Sequence, residues 1–291
     1  MKVCIIGLGL MGSALARRLK SCGYDLVLYN RTPSKAVQLA SEFNAKAVDT
    51  PLSCCRESNI SVLFVADDNA VIDVAFTPTG IIKESKGKDI VNMSTVSTSI
   101  SERLGSAVEF YGGRYVEAPV YGSVSEVIEG RLTAIVASNS EISDGVKELL
   151  NCVAKKILYV GRVPGAAALK LALNQLNMAV IAAFAESLAF LKAYSIEFEL
   201  FEELLRGTWM EPIVARYMKR SLEEHPPRFR LEMAAKDLQC FIESARAKQL
   251  SVHVSAAAMQ RYLEASMHGY SDKDYPNIGK YLVDVVKKRV S

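Results

Sequence analysis

The first half of the chain is a series of short, largely apolar runs separated by stretches whose apolar residues recur every three or four positions. The runs lie at residues 3–6, 26–29, 61–65, 90–93, 114–116, 132–136 and 157–159, and they are rich in Val, Ile and Leu. Runs this short and this apolar predict strands buried on both faces, while residues 13–21 and 34–43 carry the helical period. Strands of that kind alternating with helices predict a mainly parallel sheet covered on both sides, the doubly wound α/β pattern of a Rossmann-type domain.

Beyond Gly161 the period changes. Residues 166–194 form one long apolar helical pattern without Gly or Pro, and further helices are predicted at 198–205, 212–218, 232–248, 252–264 and 277–289. No strand signal interrupts them, so an all-helical domain is expected, joined to the first by the long helix. Gly and Pro cluster at 161–165, which sets the expected domains at 1–163 and 164–291. The long helix is apolar nearly all round and must be covered on every side, which predicts a homodimer or homotetramer.

Composition narrows the function. The 291 residues are 50% apolar and 23% charged, which excludes a disordered or collagen-like chain. Lys plus Arg is 35 against 32 for Asp plus Glu, so the chain lacks the basic excess of a nucleic-acid or membrane-surface binder. Six cysteines without a C-x-x-C pair are expected as free, small hydrophobes of a reducing compartment, neither a disulfide framework nor a zinc site. His225, His253 and His268 have no metal-ligand spacing, and no metal is expected. Met1-Lys2 leads straight into the first strand, and the apolar stretch 171–185 holds Asn174, Gln175 and Asn177 and is short for a bilayer span. Both point to a soluble, cytoplasmic protein with no membrane partner. Lys287-Lys288-Arg289 reads as the solvated C-terminus of the last helix.

The first apolar run is followed by Gly7-Leu8-Gly9-Leu10-Met11-Gly12, which opens the first helix. This G-x-G-x-x-G loop stands where a dinucleotide site needs it: the first glycine for the turn, the second for approach to a pyrophosphate, the third for helix–strand packing. The free N–H groups of the helix N-terminus face the anion. The second run ends in Tyr29-Asn30-Arg31-Thr32-Pro33-Ser34-Lys35, without the acidic residue that binds a free ribose diol. Arg31, with Thr32 and Lys35, suits a 2′-phosphate. NADP is the expected cofactor and NAD the weaker alternative.

Three further polar segments go beyond a bare dinucleotide fold: Asn92-Met93-Ser94-Thr95-Val96-Ser97, Glu117-Ala118-Pro119-Val120-Tyr121-Gly122-Ser123, and Gly165-Ala166-Ala167-Ala168-Leu169-Lys170 with Asn174. With the glycine loop, and in this order over nearly the full length, they resemble the β-hydroxyacid dehydrogenase family. The resemblance implies Lys170 as the catalytic lysine and Asn174 as the amide that orients it. It implies Thr95 near the nicotinamide with Ser94 beside it, Val65 and Ala66 along the cofactor, and Gly122 and Ser123 around a substrate carboxylate. In Ala234-Ala235-Lys236-Asp237 it implies Lys236 near the nicotinamide and Asp237 toward substrate. Tyr121 departs from the family, in which Ser is frequent. Trp209, and less so Phe229, are candidates for the wall of the substrate pocket.

The residues agree with the resemblance at one point. Lys170, Asn174 and Asn177 are spaced i, i+4, i+7 and share one face of an otherwise apolar helix. The implied activity is NADP-dependent oxidation of the terminal hydroxyl of a small β-hydroxy acid, L-serine or 3-hydroxyisobutyrate, to its semialdehyde. The alternatives are NADPH-dependent reduction of glyoxylate or succinic semialdehyde, and a non-catalytic cofactor-binding module. Lys170 counts against the module and against imine reductases, and the short helical half counts against a 6-phosphogluconate dehydrogenase.

Overall fold

Alternate residues of the first strand point to opposite cores, and this organises the whole first half. The computed structural model describes residues 1–290, with side chains through 288. In β1 (Lys2–Ile6), Val3 and Ile5 join one apolar cluster while Cys4 and Ile6 join another on the opposite face of the sheet. The same division runs through β2 (Asp25–Tyr29), with Leu26 and Leu28 on one side and Val27 on the other. A strand buried on both faces has no polar side to show, which is why the sequence reads as largely apolar runs.

These strands belong to a compact unit, Met1–Leu171. Its parallel strands are β3 (Lys46–Ala47), β2, β1, β4 (Ile60–Leu63), β5 (Asp89–Asn92) and β6 (Arg114–Glu117), side by side in that order. β7 (Val120–Tyr121) and β8 (Leu132–Ser138) extend the sheet in antiparallel fashion, and β9 (Ala154–Tyr159) pairs parallel to β8. The connecting helices are α1 (Leu10–Ser21), α2 (Pro33–Phe43), α3 (Pro51–Arg56), α4 (Asp68–Ala75), α5 (Thr98–Phe110), α6 (Val124–Ile128) and α7 (Asp144–Val153). The two-residue strands β3 and β7 are too short to carry a period. β9 starts earlier than expected, because Lys155 and Lys156 near its start are polar and exposed, as residues at a sheet edge are.

The cysteines depart from expectation. Cys4 is joined to Cys54, with Cα atoms 5.5 Å apart, and Cys22 to Cys152 at 6.5 Å, while Cys55 and Cys240 belong to neither bridge. Neither bridge follows a sequence spacing: each joins segments that the fold brings together, β1 with α3 and the end of α1 with α7. Bridged cysteines give no support to a reducing compartment.

Helix α8 (Gly165–Ala193) is 29 residues long, and by length and composition it could cross a membrane, contrary to the estimate from its central apolar stretch. Its second half supplies Met178, Ile181, Phe184, Ala185 and Leu188 to the core of the second compact unit, Ala172–Ser291. Around them pack α9 (Phe198–Leu205), α10 (Glu211–Leu222), α11 (Leu231–Ala247), α12 (His253–Ala265) and α13 (Ile278–Val290), through residues such as Tyr217, Leu238, Tyr262 and Ile278. Asn177 on α8 is hydrogen-bonded to Tyr275 at 2.9 Å and to Tyr217 at 3.0 Å, so this helix carries polar pairs inside a protein core. In the terminal basic cluster, Lys287 pairs with Asp284, and the side chain of Arg289 lies outside the described residues.

Candidate active site

The parallel strands end in register. Ile6 stands opposite Tyr29 and Leu63, Leu63 opposite Asn92, and Asn92 opposite Glu117. The segments that leave them therefore emerge along one edge of the sheet: the glycine loop, Asn30–Lys35, Val65-Ala66, Ser94-Thr95 and the Glu117 segment. Strand order reverses between β1 and β4, and the carboxyl edge beside such a reversal is where open α/β sheets bind ligands.

The glycine loop meets the requirements of a dinucleotide. Gly7 has φ +99°, and a Cβ there would stand 2.4 Å from the Phe64 carbonyl oxygen. A Cβ on Gly12 would lie 2.0 Å from the Gly7 oxygen, so helix and strand are in backbone contact. At Gly9 a Cβ would meet nothing within 4 Å, which leaves an open cradle bounded by backbone. Thr50, Asp67, Ser97 and Ser143 cap α3, α4, α5 and α7 with their side chains. Helices α1 and α2, which begin at the glycine loop and at Thr32, have no such cap. No side chain caps their first turns, which is what an anion site at a helix N-terminus needs.

Asn30 serves this loop from beneath. Its side-chain oxygen accepts from the Leu8 N–H at 2.9 Å, and its amide donates to the Thr32 oxygen at 3.1 Å. Arg31, Thr32 and Lys35 are exposed, and the stretch 30–35 has no carboxylate. These residues fit the adenine end of a cofactor that carries a 2′-phosphate.

Ser94, expected near substrate, also holds backbone. It is buried, and its hydroxyl accepts from the Val65 N–H at 2.9 Å and faces the Leu63 oxygen. The Ser94 N–H in turn donates to the Asn92 side chain at 3.0 Å. Ser94 thus ties the loop after β4 to the loop after β5, leaving Thr95 half-exposed at the tip. Gly122, with φ +144°, lets the chain turn where a Cβ would strike Leu132 at 2.6 Å. The Ser123 hydroxyl is part of a capping box with Glu126 at the start of α6. The Lys170 side chain is buried, and its Nζ stands 5.8 Å from the centre of the half-exposed Tyr121 ring.

In the helical unit, Asn174 donates to Asp237 Oδ2 at 2.5 Å, and Lys236 pairs with Asp237 Oδ1 at 2.5 Å. Asp237 is buried, with Oδ2 hydrogen-bonded to Asn174 and Oδ1 in an ion pair with Lys236. Trp209 is 80% exposed beyond the end of α9, on the surface rather than in a pocket wall. Phe229 packs against the helical core with its ring edge toward Tyr275. Lys170 and Asn174 lie one helical turn apart on α8.

Sequence reasoning alone misses Glu117. Glu117 is 1% exposed, and its carboxylate accepts from Ser101 Oγ and from the backbone N–H groups of Ala166, at 3.0 Å, and Ala167, at 3.4 Å. Burial pushes its pKa up, while Ser101 and the two amides pull it down. A carboxylate ending the strand Arg114–Glu117 is the available signal, since acidic residues are rarely buried without partners.

Comparisons with known proteins bear on this geometry. Residues 2–161 match the NAD binding domain of 6-phosphogluconate dehydrogenase, and residues 165–282 match the NAD-binding domain of NADP-dependent 3-hydroxyisobutyrate dehydrogenase. The chain is 31% identical to a 2-hydroxy-3-oxopropionate reductase of Escherichia coli, over 94% of each chain. It is 27% identical to glyoxylate/succinic semialdehyde reductase 1 of Arabidopsis thaliana, over 94% of this chain and 96% of that one. Its fold matches a Mycobacterium tuberculosis 3-hydroxyisobutyrate dehydrogenase, solved with L-serine, at a TM-score of 0.83 and 17% identity, over 97% of this chain and 98% of that one. A dinucleotide cradle at the carboxyl edge of a parallel sheet, a buried lysine on the following long helix, and family matches to both halves lead to one conclusion: the chain belongs to the β-hydroxyacid dehydrogenases, NAD(P)-dependent oxidoreductases.

Proposed function

We propose that the protein is an NADP-preferring dehydrogenase that oxidises the terminal hydroxyl of a small β-hydroxy acid to the semialdehyde, with L-serine first among its substrates and 3-hydroxyisobutyrate second. The observation that carries the reading is Lys170, a buried lysine beside the Tyr121 ring on the first turns of α8. The bound nicotinamide would take the hydride from the carbinol carbon. Lys170 would accept the hydroxyl proton in oxidation and return it to the carbonyl oxygen in reduction. Asn174, held by Asp237, would keep the hydroxyl side of the substrate in line, and the backbone at Gly122 and Ser123 would face the carboxylate. Exposed Arg31 with no nearby acidic residue on its loop supports NADP over NAD.

The reverse direction has its own support, since two of the similar chains carry reductase names. A screen at 340 nm separates the possibilities: NADPH formation with L-serine and 3-hydroxyisobutyrate, and NADPH consumption with glyoxylate and succinic semialdehyde. Lys170→Ala should lower turnover by about 10²–10⁴-fold with cofactor binding retained. Near-normal turnover in that variant would end the mechanism.

We also infer a homo-oligomer. Leu169, Leu176 and Phe190 along α8 are 43%, 62% and 61% exposed, apolar area that a second copy of the chain would cover.

A further inference from the structure

The head of α8 is gripped from inside the sheet. A run of side chains, all within the first compact unit, leads from the cofactor-side loops to that helix. The Val65 N–H donates to Ser94 Oγ, and the Ser94 N–H donates to Asn92 Oδ1. Asn92 Nδ2 donates to the Tyr115 hydroxyl at 3.2 Å, the Tyr115 hydroxyl is 2.8 Å from Ser101 Oγ, and Ser101 Oγ reaches Glu117. Because Asn92 already donates to Tyr115, one ordering satisfies every proton: Tyr115 donates to Ser101 and Ser101 donates to Glu117. The run ends at a carboxylate whose other oxygen accepts the N–H groups of Ala166 and Ala167. Asn92, Ser94, Ser101, Tyr115 and Glu117 are all buried, so no water competes for these bonds.

Little else fixes the start of α8. The chain arrives through residues 161–164, tied by the Ser138 N–H to the Gly161 oxygen at 3.0 Å and the Gly165 N–H to the Arg162 oxygen at 2.8 Å. Ala166 rests on the small cluster of Ile135 and Ala137. Lys170 follows four residues after Ala166, about 6 Å along the axis. An anion at a helix N-terminus both satisfies open N–H groups and favours the dipole, and here the anion comes from β6 rather than from the helix's own flank.

We propose that Glu117 is a positioning residue for Lys170, holding the first turn of α8 in register with the loops after β4 and β5 so that the lysine meets the substrate at a set depth. The consequence for turnover rests on the dehydrogenase reading above, whereas the grip itself does not. Glu117→Gln keeps the shape but removes the anion. Its amide nitrogen would donate toward Ser101, reverse the run and leave the Tyr115 proton without its acceptor. Ser101→Ala removes the link between the carboxylate and Tyr115 while sparing the bonds to Ala166 and Ala167.

The test pairs steady-state kinetics with hydrogen exchange on the full-length protein. In Glu117→Gln, kcat for the hydroxy acid should fall by about 10- to 100-fold, the range for small misplacement of a reacting group, while the KM for NADP stays within about twofold. Amide exchange at Ala166 and Ala167 should quicken by about fivefold or more, with β1 and β4 as protected as before. Ser101→Ala should show both effects more weakly, and it decides the matter if Glu117→Gln does not fold. Unchanged exchange in the first turn of α8 overturns the proposal, as does faster exchange with unchanged kcat, or a kcat loss that merely follows a loss of folded protein. If the unaltered chain turns over no small hydroxy acid, the substrate reading fails alone, and exchange at Ala166 and Ala167 still accepts or rejects the grip.

Discussion

Gly9 and Gly12 are three residues apart in one loop, yet the structure predicts opposite outcomes for the same substitution. Gly9 has φ −72° and ψ −168°, a conformation open to any residue, and a Cβ there meets nothing within 4 Å. Gly9→Ala should therefore leave the fold intact and add about 0.4–1 kcal/mol of stability by restricting the unfolded chain. The same methyl group would stand in the cradle a pyrophosphate has to enter. Losing one charge-assisted bond from the loop amides costs about 1.5–3 kcal/mol, which is roughly 10- to 150-fold in cofactor affinity. Gly12→Ala reverses the signs, because its Cβ would lie 2.0 Å from the Gly7 oxygen and α1 would have to move off β1. Overpacking of that kind costs about 1–3 kcal/mol. Urea midpoints and NADPH fluorescence titrations on both variants measure the two effects. Unweakened binding by Gly9→Ala would refute the cradle, and wild-type stability in Gly12→Ala would refute the backbone contact.

Other consequences are independent of this loop. Arg31→Asp should weaken NADP binding at least about tenfold and NAD binding far less, since it removes a charge-assisted contact and adds repulsion; equal losses for both cofactors in a competition titration would reject the 2′-phosphate assignment. The bridge between Cys22 and Cys152 spans 130 residues of sequence, so opening it should cost up to about 5 kcal/mol by loss of the chain-entropy constraint. Thiol counting in denaturant without reductant should find two reactive cysteines, Cys55 and Cys240, and a count of six would refute both bridges. Light scattering at micromolar concentration should give a multiple of the single-chain mass, whereas the mass of one chain would refute the inference from the exposed residues of α8. The stability of Glu117→Gln should vary with pH relative to the parent. Burial raises the Glu117 pKa, so the folded chain holds that proton more tightly and loses stability as pH rises from the unfolded carboxylate range through the raised value. The variant should gain on the parent across that window in thermal melts, and a constant difference from below the window to neutral pH would contradict the direction.

How much of this was legible depended on whether a residue's role is local. The doubly buried strands announced themselves because both faces of β1 and β2 are core. The glycine loop was legible because its three constraints fall within six consecutive residues. The helix from Phe198 to Leu205 was expected at those same bounds, since its period is uninterrupted. The bridges were not legible, because Cys4 meets Cys54 and Cys22 meets Cys152 through strand order and helix packing, which leave no trace in spacing. Trp209 was expected in a pocket wall on its rarity and position, but the bend after α9 leaves it 80% exposed.

The polar residues divide the same way, and the division explains why the site looked simpler in sequence than it is. Arg31 declares a chemistry by residue type, an always-charged fork on a loop, whereas Lys170, an amine on an apolar helix, takes its expected role from the family resemblance. Ser94, Asp237 and Glu117 are equally polar, but what the structure shows of them is hydrogen bonds to other groups, and such partners are distant in sequence. Ser94 serves Val65, 29 residues away; Asp237 serves Asn174, 63 away; Glu117 serves Ala166, 49 away. Each is buried, and a buried polar side chain left unpaired would cost more than its bonds return, so such residues are retained only where the fold completes their partners. The sequence therefore names the groups that do chemistry more readily than those that aim them. Here one continuous run of hydrogen bonds leads from the loop at Val65 to the first turn of the lysine-bearing helix, so if Glu117 positions Lys170 as proposed, a change at Asn92 or Ser101 should be felt at Lys170.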